Sequence, residues 1–96
     1  MIDDKYILRL YLAGMNTENQ DTILDLKRML KEKLGENYTL EVIDVFDQPE
    51  LAEGYRIIAT PTAVKAMPGP VQKVILDFNS KERLLMGLDV LLDEKK

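Results

Sequence analysis

Reactive side chains are scarce in this chain, and what is missing restricts its chemistry sharply. It has no histidine and no cysteine, and Ser80 is the only serine. The usual zinc sites need imidazole or thiolate ligands, so they are excluded. Ser–His and Cys–His nucleophile pairs go with them, as do disulfides and thiol redox chemistry. The five glycines, at 14, 35, 54, 69 and 87, make no phosphate-cradling motif. Carboxylates and lysines remain for acid–base or amine chemistry. The chain therefore reads as a non-enzyme, with no catalytic, cofactor-binding or metal-binding residue. Its formal net charge of -4 argues against general nucleic-acid binding, because phosphates need a basic surface.

The 96 residues suffice for one domain, spanning 1–96, and are too few for two. No apolar run approaches the ~20 residues of a membrane helix. The opening Met1-Ile2-Asp3-Asp4-Lys5 is polar and acidic, unlike a signal peptide. With no cysteine to oxidise, a cytoplasmic location is expected.

Several elements position the remaining side chains. Tyr6 to Ala13 is a nearly continuous apolar run and predicts a central strand, with Leu8, Leu10 and Leu12 on one face. Asn16 to Gln20 is a helix-start signal. Ile23, Leu26, Leu30 and Leu34 follow at helical spacing, Lys27, Arg28, Lys31 and Lys33 suit the negative pole, and Gly35 is a natural stop. Tyr38 to Phe46 predicts a second strand, with Leu40 and Val42 facing one way and Ile43 and Val45 the other. Strand, helix and strand in this order make a βαβ unit with parallel strands.

The second half is less regular. Asp47-Gln48-Pro49-Glu50 opens a short helix to about Tyr55. Ile57 to Val64 predicts a strand, with Pro61 at its start or edge. Pro68-Gly69-Pro70 is a turn, Val71 to Phe78 a further strand, and Asn79-Ser80 a helix cap. From Leu84 to Leu92 two templates fit. Helical spacing collects Leu84, Leu88, Leu91 and Leu92. Strand alternation collects Leu84, Met86, Leu88, Val90 and Leu92. Gly87 weakens either one. Local sequence does not choose between them, although an ordinary C-terminal helix with a tolerated glycine is the simpler reading.

The element order β-α-β-α-β-β-α is the thioredoxin-like plan, an α/β fold in which a proline precedes the third strand. Thr60-Pro61-Thr62 occupies that place. Redox members carry Cys-x-x-Cys at the start of the first helix, where this chain has Met15-Asn16-Thr17-Glu18. It would be a scaffold used for binding, because fold alone does not supply function.

Several blocks then carry a more specific resemblance. They are Tyr6 to Gly14, Leu40 to Val45, Pro49 to Glu53, Ala59-Thr60-Pro61-Thr62, Met67 to Val71 and Leu88-Asp89. In this order they resemble the KaiB family over nearly the whole chain. The resemblance implies a metamorphic protein. Its resting tetramer or dimer would hold an alternative ground fold, β-α-β-β-α-α-β, and a rare thioredoxin-like monomer would bind the N-terminal ring of a KaiC-type ATPase hexamer. Carried over by position, Tyr6, Arg9, Arg56, Pro61 and Lys65 would face KaiC, and Gly87 and Asp89 would set the balance of folds. Clock-type members have basic residues where this chain has Asp21 and Glu41, near the surface that meets KaiA. KaiA is therefore not expected as a partner, and a stress-response or simpler timing circuit is. The competing reading is a non-switching sensory domain resembling the N-terminal domain of SasA.

Overall fold

In the computed structural model, the described residues are 5–54, 56–57 and 60–92. Four strands form one sheet in the order β2-β1-β3-β4. The elements run β1 (Tyr6–Leu12), α1 (Thr17–Leu34), β2 (Tyr38–Asp44), α2 (Pro49–Gly54), β3 (Thr62–Met67), β4 (Gln72–Ile75) and α3 (Lys81–Leu92). β1 pairs parallel with β2 and antiparallel with β3, and β3 pairs antiparallel with β4. This is the expected α/β thioredoxin-like order.

Side-chain alternation divides the sheet into two faces. Leu8, Leu10 and Leu12 of β1 and Ala63 of β3 join Leu26 and Leu30 of α1 and Leu84, Leu88, Leu91 and Leu92 of α3 in the main core. Tyr11, Ile43 and Val64 form a smaller cluster on the other face, where Val45, Ala52 and Ile57 pack on it. Among the described residues, the short α2 is the helix on that side, through Ala52.

Local chemistry sets the boundaries. Asn16 caps α1, its Oδ1 accepting the Asn19 backbone N–H at 2.8 Å, and the Asn19 amide donates back to the carbonyls of Ala13 and Gly14. Gly35 ends the helix at φ 63, a left-handed conformation costly for residues with a Cβ, while its N–H reaches the Lys31 carbonyl. β2 stops at Asp44, short of the expected Phe46. The Asp44 carboxylate accepts the N–H groups of Gly14 and Phe46 and turns the chain.

The third strand begins later than its sequence predicts. Ile57 lies outside it, Ile58 and Ala59 fall outside the described residues, and β3 runs from Thr62 to Met67. Pro61 has no N–H to give a ladder, so it sits just before the strand and only accepts, from the Leu76 N–H at 2.9 Å. The Thr60–Pro61 and Met67–Pro68 peptide bonds are both cis. β4 is likewise shorter than Val71 to Phe78. Ser80 then caps α3 through its Oγ and the Arg83 N–H.

The ambiguous segment from Leu84 to Leu92 lies within α3. Leu84, Leu88, Leu91 and Leu92 are buried, whereas Met86 and Val90 are exposed. Gly87 permits the helix to lie close on β4. A Cβ there would stand 3.2 Å from Leu76 Cδ2 and 3.3 Å from Val74 Cγ1.

Candidate functional site

The residues singled out in the sequence do not converge on one site. Tyr6 and Lys65 share the face that carries α1 and α3 and line a common cavity of about 260 Å³ with Pro68, Gly69, Pro70 and Leu92. The Tyr6 hydroxyl donates to the Leu92 carbonyl at 3.0 Å and fastens the end of α3 to β1. Lys65 is 3% exposed, and its ammonium donates to the carbonyls of Pro68 and Pro70.

Arg9 alternates to the opposite face. Its Nε lies 3.1 Å from Glu41 Oε1, directly across the β1–β2 ladder. Arg56 is on that face too, in the turn after α2 at φ 57. It lines a second cavity of about 260 Å³ with Ile57, Thr62, Lys73 and Ile75. The Lys73 ammonium donates to the Arg56 carbonyl at 3.3 Å. Sequence reasoning missed Lys73. The signal was its position in β4, two residues from Ile75 and so on the same face as the turn after α2.

Pro61 belongs to a third region. With Glu18, Asn19, Thr22, Thr60 and Asp77 it borders a groove of about 370 Å³ beside the start of α1, to which Ile75, Leu76 and Phe78 add apolar wall. This is where a redox thioredoxin would hold its thiols. Here the groove offers carboxylates, amides and hydroxyls beside apolar side chains, and the chain has no thiol to place there.

Gly87 and Asp89 both fall in α3. Gly87 faces β4, and Asp89 is exposed, with Oδ1 3.6 Å from Lys33 Nζ of α1. Among the described residues no cluster of acids could hold a metal ion, and no helix is long and apolar enough to cross a membrane.

The sequence and fold agree with known proteins. The KaiB domain profile matches residues 9–90. The chain belongs to the KaiB family. It is 40% identical over 88 residues to the circadian clock protein KaiB3 of Synechocystis sp., covering 92% of this chain and 86% of that protein. It is 45% identical over 89 residues to the circadian clock oscillator protein KaiB of Prochlorococcus marinus subsp. pastoris, covering 93% and 83%. These KaiB relatives are clock proteins. The solution structure of the N-terminal domain of Synechococcus elongatus SasA superposes with a TM-score of 0.76 at 27% identity, covering 100% of this chain and 90% of that one. Mitochondrial thioredoxin 3 of Saccharomyces cerevisiae superposes at 0.60 with 18% identity, over 76% of this chain and 68% of that one. That likeness is one of fold alone. As a KaiB-family chain, the protein thus carries a thioredoxin-like fold without thioredoxin chemistry.

Proposed function

We propose that this KaiB-family chain is a non-enzymatic regulator, a single cytoplasmic domain that binds a KaiC-type ATPase hexamer by switching fold. The observation that carries the reading is the combination of KaiB-family sequence with an arrangement matching the SasA N-terminal domain over the whole chain. The resting homotetramer or dimer holds the alternative ground fold, and the thioredoxin-like monomer is the competent state. The two templates over Leu84 to Leu92 support this, since two packings of one sequence coexist when they differ by only a few kcal/mol. An affinity drawn from a minor state is reduced by that state's population, which makes engagement slow. Tyr6, Arg9, Arg56, Pro61 and Lys65 are the proposed KaiC contacts, spread over more than one face. Gly87 and Asp89 tune the balance. KaiA is not a partner, because Asp21 and Glu41 place negative charge where the clock-type surface is basic.

Size-exclusion chromatography with light scattering, before and after hours with an ATP-loaded KaiC hexamer, tests the reading. A resting oligomer should disappear slowly into the ring as monomers. A fixed monomer that binds the ring at once would instead favour a non-switching domain like that of SasA, the reading to which the full-length superposition also lends weight. A chain that ignores KaiC would overturn both.

A further inference from the structure

Lys65 is a buried cation whose acceptors are both neutral. Its residue exposure is 3%, and no carboxylate of the described residues makes an ion pair with it. Burying a charge is unfavourable unless it is paired. The turn beside it is built to offer oxygen. The Pro68 and Pro70 carbonyls both face the ammonium, and the prolines add no N–H donor beside it. An ammonium has three donors, and these two carbonyls leave the third.

Space for a ligand lies against this group. The cavity of about 260 Å³ is bounded by Tyr6, Lys65, Pro68, Gly69, Pro70 and Leu92 and is open to solvent. Gly69 helps to keep it clear, because a Cβ there would stand 3.7 Å from Lys65 Nζ. The walls mix the Lys65 ammonium and polar backbone with prolyl rings, a phenol and a leucine, so they can hold one charged end and a short run of methylene groups. With one cation to satisfy and a chain of net charge -4, a monoanion fits better than a phosphate dianion.

We infer that the cup around Lys65 is a carboxylate-binding site, taking either a small organic acid or the side chain of an Asp or Glu on a partner. The carboxylate accepts the third ammonium hydrogen, and its methylene groups rest on Pro68, Pro70 and Leu92. The site depends on the fold described above but not on KaiC as the partner, and KaiC is absent from the test.

The test is a two-dimensional amide NMR titration of the whole chain with sodium acetate and, separately, with a capped Gly-Glu-Gly peptide, against sodium chloride at equal ionic strength. Saturable shifts at Lys65, Gly69 and Leu92 that chloride does not reproduce are expected. Lys65→Met should weaken them about 10- to 100-fold, the range expected for losing a hydrogen bond to a charged group. Saturation by acetate identifies a free acid as sufficient, and saturation by the peptide alone identifies a partner side chain. If the chain rests in a second fold, either ligand should draw it toward this one by mass action, so the same signals grow. Equal effects of chloride, shifts confined to other regions, or no change with either ligand would overturn the site and leave Lys65 as a tie for the turn. Should Lys65→Met fail to fold, the location of the shifts in the unsubstituted chain decides the matter.

Discussion

Lys33 Nζ of α1 lies 3.6 Å from Asp89 Oδ1 of α3, across the two helices that cover one face of the sheet. Asp89 stands near the C-terminal end of α3, where a negative charge opposes the helix dipole and the last turn contains no basic residue. The ion pair therefore compensates an acid in an unfavourable position. Its side chain is 62% exposed, so screening keeps the pair weak. Asp89→Asn should change the stability of this fold by less than about 0.5 kcal/mol, because the lost pair and the relieved dipole offset each other. A double-mutant cycle with Lys33→Met, read by urea unfolding, should give a coupling of about 0.2–1 kcal/mol that fades in high salt. A coupling that persists in high salt would contradict this account.

Gly87→Ala sets helix propensity against packing. Alanine is worth about 1 kcal/mol over glycine inside a helix. The new methyl meets Leu76 Cδ2 and Val74 Cγ1 at 3.2 and 3.3 Å, so a buried leucine and a β-branched valine must each shift by a few tenths of an ångström, which takes back part of the gain. The expected net gain for this fold is positive but below about 1 kcal/mol, with somewhat more monomer and faster ring binding. Shortening the neighbour should release the rest. In a Val74→Ala background, Gly87→Ala should contribute more than it does alone, which unfolding of the four variants would measure. An unchanged increment would mean that the contact carries no strain.

Glu41 faces Arg9 across β1 and β2, and the pair is partly exposed. Glu41→Gln should cost this fold no more than about 1 kcal/mol. Its larger effect should be on partner choice. Asp21→Arg with Glu41→Arg should raise binding to a KaiA protein in the presence of KaiC, measured by biolayer interferometry, while the unsubstituted chain gives little signal. Strong binding of KaiA by the unsubstituted chain would reverse the assignment.

Most of the fold was legible because its first half is locally consistent. The Asn16 cap, the helical spacing of Leu26 and Leu30 and the Gly35 stop all act within α1, and the alternation of Leu8, Leu10 and Leu12 gives one face of β1 directly. The third strand was misplaced because Ile57 is as β-favouring as Val64. What separates them is a tertiary demand: Pro61 accepts from Leu76 but cannot donate, so the ladder starts after it. The candidate site was less legible. Tyr6 and Lys65 are 59 positions apart in number (65 − 6) yet border one cavity, and no local spacing announces that. In the sequence Lys65 stands out only through the family resemblance, and nothing local shows that the turn at Pro68 to Pro70 would enclose it.

The two templates over Leu84 to Leu92 differ in the residues they bury, and this separates the two proposed folds by substitution. In α3, Leu91 is 1% exposed, whereas Met86 and Val90 are 61% and 57% exposed. Strand alternation reverses this, placing Met86 and Val90 with Leu84, Leu88 and Leu92 and turning Leu91 to the other side. Met86→Gln and Val90→Gln should each change the thioredoxin-like fold by no more than about 0.5 kcal/mol. Burying such a side chain fully is worth about 1.5–3 kcal/mol, so a ground fold that uses the segment as a half-buried strand would lose about that much for each. The resting chain should then shift at least about tenfold toward monomer, and KaiC binding should quicken with it. Leu91→Ala should act in the opposite direction. It removes a core side chain from this fold at a cost of about 2–5 kcal/mol and should deplete the competent monomer. Light scattering and the rate of complex formation report both effects. If Met86→Gln, Val90→Gln and Leu91→Ala all moved the monomer population the same way, the segment would not exchange helix for strand, and the proposed switch would lose its basis in this segment.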